Sequence, residues 1–360
     1  MPGPPITSAQ ELLDRLDAST LRDIVTRLVG IGPLASVVFH LHRPILGATG
    51  YSGMTCILTA QYAADNGCSG WVEVLLKWPR WATAESRWYP ALMAAGAPIP
   101  ALYGSLRLLD PPEGVSDEVL VLEYLPHIGH GDADHGALAE TLGRFHALSP
   151  GLIPDLPEVT AHGSIAGWTE VWQRIPGHAK AGELGPAIGQ FVATHSDAWS
   201  RVLDNLPRLA AAADALPRGV IHRDVSLQNT GWRSDRQQLL LFDIPQMAVG
   251  ILAQDAQALV PGGKPIDTVV AERYLTTLRR HGGPSLSLDH LRAAIDTVRP
   301  MDRLNFLWWA TARSCDGKVD FSQDIEEGRR WYRNVLMSLL EELVAGLGHL
   351  STSDPKASVL

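Results

Sequence analysis

The chain has 360 residues, 46% of them hydrophobic, and a formal net charge of -9. That length suffices for two cores, no apolar run reaches the roughly 20 residues that cross a bilayer, and the acidic balance argues against a nucleic-acid partner while suiting cationic substrates or plain solubility. The three cysteines, Cys56, Cys68 and Cys315, are scattered and odd in number, which speaks for a reducing cytoplasmic setting and against a disulfide frame or a zinc site.

Met1-Pro-Gly-Pro-Pro lacks a positive region followed by an apolar stretch, so no secretory signal is expected. Residues 8–30 predict one amphipathic helix or two, because Leu12, Leu13, Leu16, Leu21, Ile24, Val25 and Leu28 recur at helical spacing. Asp17, Ser19 and Thr20 can break and recap that segment midway. Two strands follow, Val37 to Leu46 and Thr55 to Ala63. Between them Gly47, Gly50 and Gly53 let the backbone turn tightly and bring N–H groups toward an anion. A glycine-rich hairpin without a ligand fits the same residues, since the spacing matches neither a dinucleotide fingerprint nor a P-loop. Gly262-Gly263-Lys264 is not a P-loop either.

Asp65-Asn66-Gly67 signals a hairpin turn, and Gly70 to Lys77 is the next strand. Lys77, late on that strand, can reach a phosphate or can be an ordinary surface lysine. Glu85 reads as a first-turn helix acid that complements the helix dipole or pairs with Lys77. The gap from Lys77 is short for that pair, and Glu73, on the same strand face, competes for it. Pro90 should kink the helix. Residues 97–103 are extended, and Glu118 to Tyr124 form an almost continuous apolar strand that Leu125-Pro126 ends. Asp132 or Asp134 can cap a helix running to Leu148 with Leu138, Leu142 and Phe145 on its apolar face; His146 near its end reads as packing. Trp168 and Trp172 share a face of a helical region reaching Leu209, as core in the simpler reading or as pocket lining in the other.

The chemistry concentrates in Val220-Ile-His222-Arg223-Asp224-Val-Ser-Leu-Gln-Asn229 and in Leu241-Phe242-Asp243. Asp224 can accept or orient the proton of an attacking hydroxyl. Asn229 and Asp243 offer the oxygen ligands that magnesium, a hard cation, prefers. Asp and Asn are also common in turns, but His-Arg before the Asp, and an apolar run ending in a second Asp, match a phosphoryl-transfer loop in order and spacing. Gln238 to Phe242 predicts the strand that delivers Asp243. The segment after Asp243 is too short for a peptide-docking platform and has no A-P-E stretch, which favours a small acceptor. Residues 267–282, 287–298, 300–315 and 323–347 predict helices. Asp316, Asp320, Asp324, Glu326 and Glu327 form either a solvated helix start or a patch for a cationic acceptor.

In this order the glycine loop, Lys77, Glu85, Glu123-Tyr124, Leu142-Gly-Arg-Phe-His146, His222-Arg-Asp224, Asn229 and Asp243 resemble the aminoglycoside phosphotransferase and choline kinase-like families. Glu85-Ser-Arg-Trp-Tyr89 with Ile99-Pro100 is similar to their ecdysteroid-kinase-like branch. The resemblance covers roughly residues 35–280. It implies an α+β, bilobal protein-kinase-like fold, with a small antiparallel-sheet N-lobe over residues 1–125 and a larger, mainly helical C-lobe over residues 126–360. It implies Asp224 as catalytic base, Asn229 and Asp243 as Mg2+ ligands, Lys77 held by Glu85 on the ATP phosphates, Gly50 and Gly53 in the phosphate loop, and backbone groups from Glu123 to Leu125 at the adenine edge. Two departures stand out. Many members have Gly where Arg223 stands, and Ile244-Pro245 replace the usual aromatic or acidic residue and its neighbour. The expectation is an ATP- and Mg2+-dependent kinase of a small hydroxylated acceptor, without nucleic-acid or membrane partners and of open oligomeric state. A nucleotide- or ligand-binding protein without catalysis is the alternative.

Overall fold

The computed structural model describes residue 6 and residues 8–44, 53–79, 85–113, 116–128, 135–235, 237–260, 265–316 and 325–347. In chain order the first elements are α1 (Ala9–Asp14), α2 (Ala18–Val29), β1 (Leu34–Pro44), β2 (Gly53–Ala64), β3 (Ser69–Pro79), α3 (Glu85–Ala94), β4 (Leu102–Arg107), β5 (Glu118–Glu123), β6 (His127–Ile128) and α4 (His135–His146). Then come α5 (Ala161–Lys180), α6 (Pro186–Thr194), α7 (Ser196–Asp214), β7 (Arg218–Ile221), β8 (Thr230–Trp232), β9 (Leu239–Leu241), β10 (Ala248–Ile251), α8 (Leu252–Ala256), α9 (Thr268–Arg280), α10 (Leu288–Asp316) and α11 (Ile325–Leu347). They form two compact units, Met1–Asp155 with Asp224–Gln246, and Leu156–Arg223 with Met247–Leu360. The fold is α+β, with an antiparallel sheet toward the N-terminus and helices toward the C-terminus.

In the first unit, β1 to β5 make one antiparallel sheet in the order β1-β2-β3-β5-β4. The expected hairpin turn lies between β2 and β3, where Gly67 takes φ 84°, a left-handed conformation that favours glycine. The expected N-terminal helical segment is two helices. Ser8 and Glu11 cap α1 reciprocally. Asp17 caps α2, and hydrogen bonds from Thr20 and then Ser19 pull its carboxyl down to about 2. Both helices lay leucines and Ile24 on the sheet, against Cys56, Leu58, Val74 and Leu76. A small sheet in the order β6-β8-β9 completes the unit, and Thr141 of α4 ties to it by donating to the Leu239 carbonyl at 2.9 Å.

That small sheet contains a close approach. A Cβ on Gly231 would lie 2.8 Å from Leu125 Cδ1 and 3.0 Å from Leu125 Cβ, and Leu125 is buried. Gly231→Ala is therefore expected to destabilise the protein by about 1–3 kcal/mol through overpacking, read as a lower urea midpoint at unchanged slope.

In the second unit, β7 pairs antiparallel with β10, and Ile221, Ala248 and Leu252 form a small core with Val159. Trp172 and Trp199 stack at 4.1 Å, and each indole N–H donates to the other residue's backbone carbonyl, at 3.1 and 3.0 Å. Trp168 is also buried and donates to Asn305 Oδ1 at 2.8 Å. Both tryptophans thus take the core role. One expectation fails here. Residues 287–298 and 300–315 are not two helices but one, α10, which runs through Pro300. Leu291, Ile295, Val298, Met301, Leu304 and Leu307 keep one buried face across the proline. Tertiary burial along that face outweighs the single lost backbone bond.

Candidate active site

The site starts at the central strand. Lys77 lies near the end of β3, flanked by Thr55 of β2 and Leu120 of β5, and is buried. Its Nζ donates to Glu85 Oε1 and to Asp243 Oδ1, both at 2.7 Å. Glu85 is the first residue of α3 and fully buried. Burial disfavours the Lys77 ammonium, but the charges of Glu85 and Asp243 outweigh it and raise its pKa above the ordinary value. Tyr89, one helical turn after Glu85, is held well above its ordinary pKa by burial, then by Glu85 and Asp243. The spacing that looked short for a Lys77–Glu85 pair is sufficient, because β3 stops at Pro79 and α3 starts on Glu85 itself. Glu73 faces Thr59 across the sheet, and its charge acts on Tyr124, whose pKa is raised first by burial and then by Glu73.

The second part of the site comes from the loop after β7. Asn229 Nδ2 donates to the Asp224 carbonyl at 2.8 Å, and the Asn229 carbonyl accepts from Phe242 N at 3.0 Å. That bond extends the β8–β9 pairing, in which Thr230 faces Leu241, by one residue. Antiparallel pairing thus sets Asn229, just before β8, beside the end of β9, from which Asp243 follows. Asp224, Asn229 and Asp243, separate in the sequence, are brought together in one unit with Lys77. Asp243 has φ 63° and Arg223 has φ 70°. Non-glycine residues held in this left-handed region concentrate at functional sites. The strain at Arg223 also accounts for glycine as an alternative there.

A family model described as "Phosphotransferase enzyme family" matches residues 76–287, more than half of the chain and the whole stretch from Lys77 to Asp243. The protein belongs to the phosphotransferase enzyme family. Among solved structures, the phosphotransferase is similar to Plasmodium vivax ethanolamine kinase, with a TM-score of 0.51 and 10% identity over 86% of this chain and 84% of that one. It is also similar to APH(2")-IIia, solved in complex with GDP and kanamycin, with a TM-score of 0.50 and 11% identity over 91% and 98% of the two chains. At these identities the likeness is one of fold. A sequence search of curated proteins gave no match. Among the described residues, no helix is long and apolar enough to cross a membrane.

The remaining expected positions divide. Gly50 lies outside the described residues, as do Asp132, Asp134 and Gly262-Gly263-Lys264; Gly53 begins β2 opposite Pro79. The Glu123 side chain is structural. It takes Arg233 Nε at 2.7 Å and Nη2 at 3.1 Å, and Ala101 N at 3.0 Å, while Glu123 N donates to the Ala101 carbonyl at 2.8 Å. The first backbone groups past β5 belong to Tyr124 and Leu125.

Sequence reading missed one residue of this phosphotransferase. Asp255, in α8, is buried and accepts from His222 N at 2.5 Å and from Arg223 N at 2.9 Å. It fixes the two residues that lead into Asp224. The available signal was an acid among the apolar Leu252, Ala253 and Ala256, a place where a carboxylate needs dedicated donors. Asp255→Ala leaves two main-chain donors without their acceptor, at roughly 1–3 kcal/mol each. A thermal melt of that variant should fall well below one of a surface Asp→Ala control such as Asp289→Ala.

Proposed function

We propose that the protein is an ATP- and Mg2+-dependent kinase that phosphorylates a hydroxyl of a small molecule. One observation carries this reading: a buried lysine bonded to two carboxylates, Glu85 and Asp243, in the same unit as Asn229 and Asp224. The donor set fits Mg2+, since Asp243 keeps a second carboxylate oxygen and Asn229, whose nitrogen is used on the backbone, keeps its amide oxygen. When bound, the ion neutralises charge on the phosphates being transferred.

The chain's own residues have separate tasks. Lys77 meets phosphate oxygens, and Glu85 fixes its direction from the first turn of α3. Asp224 accepts the hydroxyl proton at its carboxylate and aims the oxygen at the phosphorus. Backbone groups from Glu123 to Leu125 meet the base, and Gly53, at the start of β2, brings its backbone to the phosphates. Positioning and charge neutralisation supply most of the catalysis. An amine-bearing alcohol suits the net charge of -9. It also suits the names of the similar structures, an ethanolamine kinase and a kanamycin complex.

The test is a mass-spectrometric screen of amino alcohols, aminoglycosides and sugars with ATP or GTP and Mg2+. Gain of one phosphate by an acceptor supports the proposal and identifies the substrate. Nucleotide binding without turnover across the screen overturns it in favour of a non-catalytic binding protein.

A further inference from the structure

In the second unit, α5 ends in a turn with an unusual polar contact. Gly182 takes φ 77°, Glu183 N donates to the His178 carbonyl at 3.1 Å, and Gly182 N donates to the Ala179 carbonyl at 3.1 Å. This is a Schellman closure, in which the residues at the places of His178 and Glu183 commonly make an apolar contact. Here they are an imidazole and a carboxylate, with Nδ1 and Oε2 2.5 Å apart. A third group joins them from the last turn of α10. Cys315 Sγ lies 3.8 Å from the same Nδ1, 137 positions along the chain. The three ligand atoms all lie within 4.8 Å of one another.

We propose that His178, Glu183 and Cys315 form a binding site for a zinc-class divalent cation, with water as the fourth ligand. Imidazole nitrogen, carboxylate oxygen and thiolate sulfur are the ligands zinc takes, whereas Mg2+ and Ca2+ select oxygen alone. Both partners converge on one nitrogen, the arrangement a shared cation would bridge. In a tetrahedral site the nitrogen–sulfur edge is about 3.6 Å and the nitrogen–oxygen edge about 3.4 Å. The 3.8 Å separation already fits the first edge. The second asks the Glu183 carboxylate to retreat by about 0.9 Å, which its half-exposed side chain on a turn allows. On coordination the thiol proton passes to solvent and a metal–sulfur bond forms, with no change of oxidation state. The ion would join the end of α5, its turn and the end of α10, so binding adds to the stability of this unit. The scattered cysteines spoke against a zinc site in the sequence, because two of these ligands are not cysteines and the third is remote in sequence.

The test uses full-length protein treated with a chelator and dialysed into excess Mg2+, which occupies oxygen-only sites. Co2+ is then titrated as the spectroscopic probe. The expected result is a thiolate-to-cobalt charge-transfer band that saturates at one ion per chain, is bleached by Zn2+, is lost in Cys315→Ser and persists in Cys68→Ser. Glu183→Gln should keep the band and weaken binding about tenfold or more. Absence of the band, or its survival in Cys315→Ser, overturns the site. If circular dichroism finds Cys315→Ser unfolded, Glu183→Gln decides: unchanged affinity overturns the site and weakened affinity supports it.

Discussion

Asp224→Ala is expected to lower kcat for acceptor phosphorylation by about 10²–10⁴-fold, the usual contribution of a positioned general base, with nucleotide affinity nearly unchanged. The separation of effects follows from how the loop is held. Asn229 Nδ2 donates to the main-chain carbonyl of residue 224, not to its side chain. Asp255 holds the amides of His222 and Arg223, again by main-chain groups. Truncating the Asp224 carboxylate therefore leaves both clasps in place, along with Lys77, Glu85 and Asp243. Asp224→Asn keeps the shape, removes the proton acceptor, and should lose as much. Asn229→Ala makes the contrast, since it removes a proposed metal ligand and the loop clasp together and should weaken Mg2+-dependent nucleotide binding as well. Steady-state rates on the acceptor found by the screen, with calorimetric titration of ATP and Mg2+, check both. Equal kcat in Asp224→Ala and the parent protein would remove the base from the mechanism.

The fold was legible where local pattern and tertiary outcome agree. Apolar runs placed β2, β3 and β5 to within two residues at each end, and Asp65-Asn66-Gly67 gave the turn between two of them. The pairing of Asn229 with Asp243 was expected from the order and spacing of the loop residues, and the antiparallel pairing of β8 with β9 supplies its physical cause. Features set by distant partners were not legible. An acid among apolar neighbours signals that Asp255 needs donors, but not that they are two amides more than thirty positions earlier. Pro300 is a strong local breaker, yet the buried face of α10 carries the helix past it. The pairing of the Glu123 side chain with Arg233, remote in sequence, was not announced by any local pattern either. In each case the deciding energy comes from burial or from a long-range hydrogen bond, which periodicity and spacing do not encode.

Lys77→Met should both abolish turnover and cost roughly 3–5 kcal/mol of stability, because removing one partner leaves buried charge uncompensated. Glu85 has no exposure to solvent and Asp243 only a quarter of its side chain, so the first suffers most. The double variant Lys77→Met with Glu85→Gln should recover part of that loss while staying inactive, since the stranded charge is gone and the phosphate contact is still missing. Urea unfolding should therefore rank parent, double variant and single variant in falling order. The same cluster fixes a pH dependence. The Lys77 pKa is raised in the folded protein above its ordinary 10.5, so the ammonium's contribution is fully present below that pH and is lost as pH rises through the folded value. The parent should thus lose stability steeply in that alkaline range, and Lys77→Met should lack this part of the loss. Parallel alkaline profiles for the two proteins, or a single variant as stable as the parent, would show that Lys77 does not hold these carboxylates together.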